Sequence, residues 1–137
     1  MGFCRTLCQA TIIALVLTAS APAESPVPVE VRSAKTVYLM NETGNEKVLT
    51  TATDQFITWG RFMISKSKND ADLVVVFTHK NGMDKWGNLG ITEMDVFVKG
   101  QKEPAFTAKD ALKLITDRQY PTKACINDLR KRLDAKN

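Results

Sequence analysis

The chain has 137 residues, 44% hydrophobic and 25% charged, an ordinary globular composition with room for one domain and one core. A chain of this size buries roughly two-thirds of the surface that its unfolded form exposes, so it needs no disulfide staples. The net charge of +4 is a mild bias without a clustered basic patch, which sets aside a nucleic-acid binder.

The amino terminus has the layout of an export signal. Met1 to Gln9 carries one charge, Arg5, and Ala10 to Thr18 (ATIIALVLT) is an uncharged, mainly apolar run. Ala21 and Ala23 then supply small residues at −3 and −1 for cleavage before Glu24. The apolar run is too short to span a bilayer, which takes about 20 residues, so an uncleaved anchor is disfavoured. Residues 1–23 are therefore expected to be a cleavable signal peptide, and the protein to be periplasmic or secreted with no integral membrane segment. Cys4 and Cys8 precede the apolar run, whereas a lipid-modified cysteine follows it directly; the expectation is that the chain is not a lipoprotein. Cys125 alone survives cleavage and has no intrachain partner. Its place in a helical pattern beside Ile126 points to burial.

Residues 24–34 contain Pro26 and Pro28, which favour extended backbone, and read as a linker ahead of a single domain at 35–137. Lys35 to Met40 (KTVYLM) reads as the first strand, ending in the turn composition Asn41 to Asn45. Val48, Leu49, Ala52, Phe56 and Trp59 recur at helical spacing, with Asn45 as the cap and Gly60 as the stop. Arg61 to Ser65 is a short strand. Leu73 to Phe77 (LVVVF) is apolar without alternation, the pattern of a central strand covered on both faces. The second cover is either a partner or, more simply, the margins of the helix layer and nearby loops.

His79 to Gly90 (HKNGMDKWGNLG) has no periodicity and reads as a loop or a loose hairpin connection. Ile91 to Val98 reads as a strand, turning at Gly100 to Glu103 into Pro104 to Ala108. The stretch 107–118 also fits a helix face through Ala108, Ala111, Leu112 and Ile115, with Thr107 and Asp110 spaced as a capping box. Thr122, Ile126, Leu129 and Leu133 form the stripe of a last helix, started by Pro121. The order predicts an α+β two-layer sandwich, a mixed sheet of four or five strands with two helices on one face.

No catalytic constellation, metal-ligand spacing or cofactor motif stands out, and no catalytic residue, metal or cofactor is assigned. His79 is the only histidine and lacks the further donors that a metal site needs. Glu93 and Asp95 share a strand parity, with carboxylates about 7 Å apart; acid–base work is conceivable there, and a solvated strand face is the plainer reading. Lys80, Met83, Lys85 and Trp86 decorate the glycine-rich stretch and make a candidate partner-binding loop, against the simpler reading that Trp86 folds over the core. Arg130, Lys131, Arg132 and Lys136 suit the carboxy-terminal end of a helix dipole. Asn41-Glu42-Thr43 matches a glycosylation acceptor.

Trp59-Gly60-Arg61-Phe62 followed by Asn69-Asp70-Ala71-Asp72 and the apolar strand resembles a recurring periplasmic module, seen in the amino-terminal domain of TolB and in small envelope proteins. The resemblance covers about half of the chain beyond the leader and draws attention to Asp72. It implies a non-enzymatic domain that contacts other envelope proteins, without naming a partner. The leading expectation is an exported binding or structural domain. A small exported hydrolase using Glu93 or Asp95, and an inhibitor or accessory subunit of an exported enzyme, are the alternatives.

Overall fold

The computed structural model describes residues 26–84, 87–111 and 120–135. Three helices and five strands follow in the order α1 (Val29–Ser33), β1 (Thr36–Asn41), α2 (Glu46–Trp59), β2 (Met63–Ile64), β3 (Leu73–Asp84), β4 (Gly87–Val98), β5 (Phe106–Ala111) and α3 (Tyr120–Asp134). The strands form one mixed sheet in the order β2-β1-β3-β4-β5. β1 is parallel to β2 and β3, while β3, β4 and β5 run antiparallel. This is the α+β sandwich of sheet and helices that the element order predicts.

α2 forms where its local signals place it. The Asn45 side chain accepts from the Lys47 amide at 3.1 Å, satisfying one of the free donors of the first turn. Gly60 closes the helix in the left-handed region at φ 70°, its N–H reaching the Phe56 carbonyl, a geometry that a Cβ would strain. Val48, Ala52 and Phe56 face the sheet and are buried. Phe56, Trp59 and Phe62 stack in tilted and edge-on contacts, fixing the turn into β2.

The core lies between the helices and one face of the sheet. Val37 and Leu39 of β1, Leu73, Val75 and Phe77 of β3, and Met94 and Val96 of β4 alternate inward to meet Phe56, Ile126 and Leu129. Cys125 is buried among them as expected, and its thiol lies 3.6 Å from the Thr92 carbonyl. Burial pushes that thiol up to about 12, far from the thiolate range in which cysteines react.

Asp72 explains the Ala-Asp pair that opens the central strand. Its carboxylate accepts from the amides of Lys35 (2.8 Å) and Thr36 (3.0 Å), and its own amide donates to the Thr36 hydroxyl. The clamp fixes the β1–β3 register. The two backbone N–H bonds hold the carboxyl below its ordinary value, because hydrogen bonds to the charged form favour it.

Three expectations need correction. Residues 29–33 are helical rather than extended, with Val27 and Val31 buried in the core. Pro28 stands at the helix cap, where a missing N–H costs nothing, and its carbonyl accepts from Val31 and Arg32. Of the stretch read as a loop or a loose hairpin connection, residues 79–84 and 87–90 are paired strand, because the β3–β4 pairing runs on unbroken from Leu73↔Val98 to Asp84↔Gly87. Of the two readings of 107–118, the strand holds through Ala111; residues 112–118 lie outside those described.

Candidate binding face

Among the described residues, the helices cover one face of the sheet and leave the other open. Alternation puts Tyr38 and Met40 of β1, Val74, Val76 and Thr78 of β3, and Glu93, Asp95 and Phe97 of β4 on the open side. The register aligns them in rows: Tyr38, Val74 and Phe97, then Met40, Val76 and Asp95. A groove of about 630 Å³ runs over these rows. Met40, Val74, Val76 and Phe97 supply an apolar floor. The turn from Lys99 to Lys102 lines it where β3 begins, Glu42, Thr78 and Asp95 line it further along the strands, and Lys68 and Asn69 add to its wall. The unalternating run at Leu73 to Phe77 is thus covered by helices on one side and only rimmed by loops on the other. Val74 is 8% exposed, and Val76 and Phe97 are half-buried.

Beyond Asp95 the face turns ionic. Glu93 sits between two lysines from flanking strands, with Lys80 Nζ 2.9 Å from one carboxylate oxygen and Lys109 Nζ 3.0 Å from the other. The Glu93 side chain is 8% exposed while both lysines are more than half exposed. It lies shallow, roofed by lysine chains rather than by core. The bond to Lys80, then that to Lys109, holds its carboxyl below the ordinary value. The same bond raises Lys80. Asp95 accepts a 2.6 Å hydrogen bond from the Thr107 hydroxyl. The shared parity of Glu93 and Asp95 is therefore real, but a general acid needs a raised carboxyl, and Glu93 is displaced the other way. The Thr78 hydroxyl is buried without a hydrogen-bond partner among the described residues.

The other sequence candidates separate. Lys80 belongs to β3 and to the Glu93 ion pair rather than to a loop. Met83 is also in β3, while Lys85 and Trp86, like Ala21 and Ala23, lie outside the described residues. His79 is exposed and helps line a smaller cavity of about 240 Å³ with Thr43, Gly90, Thr92 and Thr122. No cluster of three or more histidine, cysteine or acidic groups that could hold a metal occurs among the described residues. Asn41 holds an Asx turn, accepting from the Thr43 amide and hydroxyl and donating to the Asn45 carbonyl. Arg130 and Arg132 pair with Asp134 and Asp128 one turn away, as on a solvated helix surface. Lys68, Lys99 and Lys102 carry no signal in the sequence, since only the fold brings their two turns to the same groove.

No family model matches the chain, and no curated protein matches it in sequence. Among solved structures, the chain is similar to the dodecamer of a PelC point variant from Paraburkholderia phytofirmans, at 11% identity and a TM-score of 0.46, over 77% of this chain and 90% of that one. It is similar to a minor lipoprotein from Acinetobacter baumannii at 17% identity and TM-score 0.38, over 72% of this chain and 90% of that one. Uncharacterized lipoprotein B from Nitrosomonas europaea follows at 9% identity and TM-score 0.38, over 70% and 71%. Two of these neighbours are lipoproteins, and against that finding the expectation that this chain is not a lipoprotein is withdrawn. Its basis, the positions of Cys4 and Cys8, falls on residues outside those described. No helix among the described residues is long and apolar enough to cross a membrane.

Proposed function

We propose that this chain is an exported envelope domain that works by binding another protein chain through the open face of its sheet. The observation that carries the reading is the apolar floor of Met40, Val74, Val76 and Phe97 in a groove that no helix or strand among the described residues covers. A solvated face of an antiparallel sheet normally alternates to polar residues, and contiguous apolar surface rimmed by charge is the usual mark of an interaction site. The leader pattern and the resemblance to the TolB amino-terminal module support the envelope setting.

A photo-cross-linking residue at Val76, compared in the native cells with one at Ile57 on the exposed side of α2, tests the reading. A discrete protein adduct from Val76 and none from Ile57 is expected. Equal or absent adducts at the two positions overturn it. Trp86 remains a second contact candidate. Trp86→Ala is expected to lower the yield of that adduct at an unchanged melting temperature, and a collapse in melting temperature would make Trp86 part of the core.

A further inference from the structure

We propose that the partner is held by β-strand addition: an extended segment of it pairs with the edge of β3 in the lane beyond the end of β1. The proposal rests on the reading of the open face as a protein-binding surface and names the form in which that protein arrives.

β3 lies at the centre of the sheet, yet β1 flanks only its first part. The last paired row of the two strands is Asn41↔Phe77. One further bond follows, from the Glu42 amide to the Phe77 carbonyl at 2.8 Å, and the chain turns away into α2. β3 continues to Asp84, paired with β4 in every row. From His79 to Asp84 no strand among the described residues lies on its other side.

Alternation says which groups face that lane. Successive strand residues direct their N–H and C=O to opposite neighbours. The Phe77 carbonyl faces β1, and the Asp72 carbonyl, which accepts from the Lys99 amide, faces β4. His79, Asn81 and Met83 therefore turn their N–H and C=O to the lane, while Lys80, Gly82 and Asp84 turn theirs to β4. Donor and acceptor recur there at every second residue, about 7 Å apart. Another extended backbone carries the matching repeat, so the spacing specifies the ligand as a strand. Six residues span roughly 20 Å, an ordinary strand length.

The edge lacks the usual guards against such pairing. No proline occurs from Leu73 to Asp84, and the β3–β4 register runs without a bulge. Lys80, another kind of guard, is drawn across to Glu93 of β4. The Thr78 hydroxyl, buried without a hydrogen-bond partner among the described residues, stands one row short of the lane. The innermost residue of an added strand is its diagonal neighbour, within reach of a long polar side chain. Glu42 closes the lane at that end. The turn carrying Thr43 and Asn45, which lines a cavity with His79, bars the way toward the helices. The partner chain accordingly leaves over the open face, toward Met40 and Val76.

Amide hydrogen exchange of the purified protein reads the edge directly. Asn81 and Met83 are expected to exchange faster than Lys80 and Gly82. Equal rates overturn the proposal, since the lane is then filled by this chain or the hairpin is unpaired. Asn81→Pro removes a lane-facing N–H and spares the β4 ladder, as proline does on strand edges. Its melting temperature should stay near that of the wild type. In native cells it should lower the yield of the Val76 adduct about tenfold, from one lost backbone hydrogen bond and a ring standing in the lane. An undiminished adduct overturns strand addition and leaves the binding face standing. No adduct in either protein overturns both. An adduct of this chain with itself makes the occupant a second copy and overturns the separate partner. If Asn81→Pro fails to fold, the lane is already paired within the chain, and the exchange rates of Asn81 and Met83 must agree.

Discussion

The two faces of this sheet are made by alternate residues of the same strands, and they obey different rules. On the helix side Leu73, Val75 and Phe77 are at most 1% exposed and belong to the core cluster that residues of all three helices share. On the open side Val74 and Val76 are as apolar but have no helix over them among the described residues; in β4, Phe97 opposite Val74 is apolar, while Asp95 opposite Val76 and Glu93 beyond it are polar. The helix face is apolar because folding requires it. The open face is apolar only over β1, β3 and the end of β4, where folding alone does not require it. That partial, localised hydrophobicity is what separates an interface from a core, and it is visible only when the strands are compared face by face.

The largest expected effect tests whether the faces differ in energy as they do in cover. Phe77→Ala empties a fully buried site and is expected to cost about 3–5 kcal/mol. Val76→Ala, one residue along the same strand, removes a half-buried side chain and is expected to cost about 1 kcal/mol or less. Chemical denaturation measures both. Cys125 provides a second readout: its thiol, pushed up to about 12 by burial, should resist alkylation at pH 8 in the wild type and in Val76→Ala, and react faster in Phe77→Ala. Equal costs at the two positions would mean that the open face is already covered and belongs to the core.

The next effect is electrostatic. Asp72 and Glu93 have ordinary values of 3.8 and 4.5, and both are lowered in the fold. Lowered carboxyls contribute stability that is complete above the unfolded value and is lost as pH falls through the folded one. The melting temperature should therefore drop as the solution is acidified below about pH 4. Asp72→Asn, which weakens the clamp between β1 and β3, and Glu93→Gln, which discharges the ionic end of the open face, should each flatten that acid limb. A limb unchanged by Glu93→Gln would show that its two exposed lysines are screened by solvent and contribute nothing measurable.

What the sequence made legible was local. α2 could be read from Asn45, the spacing of Val48, Ala52 and Phe56, and Gly60, because cap, stripe and stop lie within one short segment. The last helix was legible through Thr122, Ile126, Leu129 and Leu133 for the same reason. The strand pairing of residues 79–84 with 87–92 was not, beyond the alternative of a loose hairpin connection, since the glycines and asparagines there belong to turns by propensity and are held in strand by pairing set far away at Leu73↔Val98. Tertiary pairing overrides β propensity in this way. α1 was hidden by Pro26 and Pro28, whose extended preference ends where Val27 and Val31 find the core. Of the candidate site, the parity of Glu93 and Asp95 and the unalternating run at Leu73 could be read in advance. The lysines could not, because Lys109 meets Glu93 only through the β4–β5 register, and Lys68 and Lys102 line one groove only once the chain is folded.

The smallest effect probes where the helix face loosens. A Cβ on Gly90 would stand 2.8 Å from Cε1 of the His79 ring, inside contact distance, so one of the two must give. His79 is exposed, and the ring is the far end of its side chain, free to swing toward solvent. Replacing a strand glycine by alanine also recovers about 0.5–1 kcal/mol of backbone entropy. The two terms oppose each other, and Gly90→Ala is expected to change stability by less than about 1 kcal/mol while shifting the NMR resonances of the His79 ring. A loss of several kcal/mol instead would mean that the ring is wedged into the cavity beside Thr92 and Thr122. His79 would then be the last residue of the core, and the helix face would extend one row further along the hairpin than the burial of Phe77 and Met94 marks out.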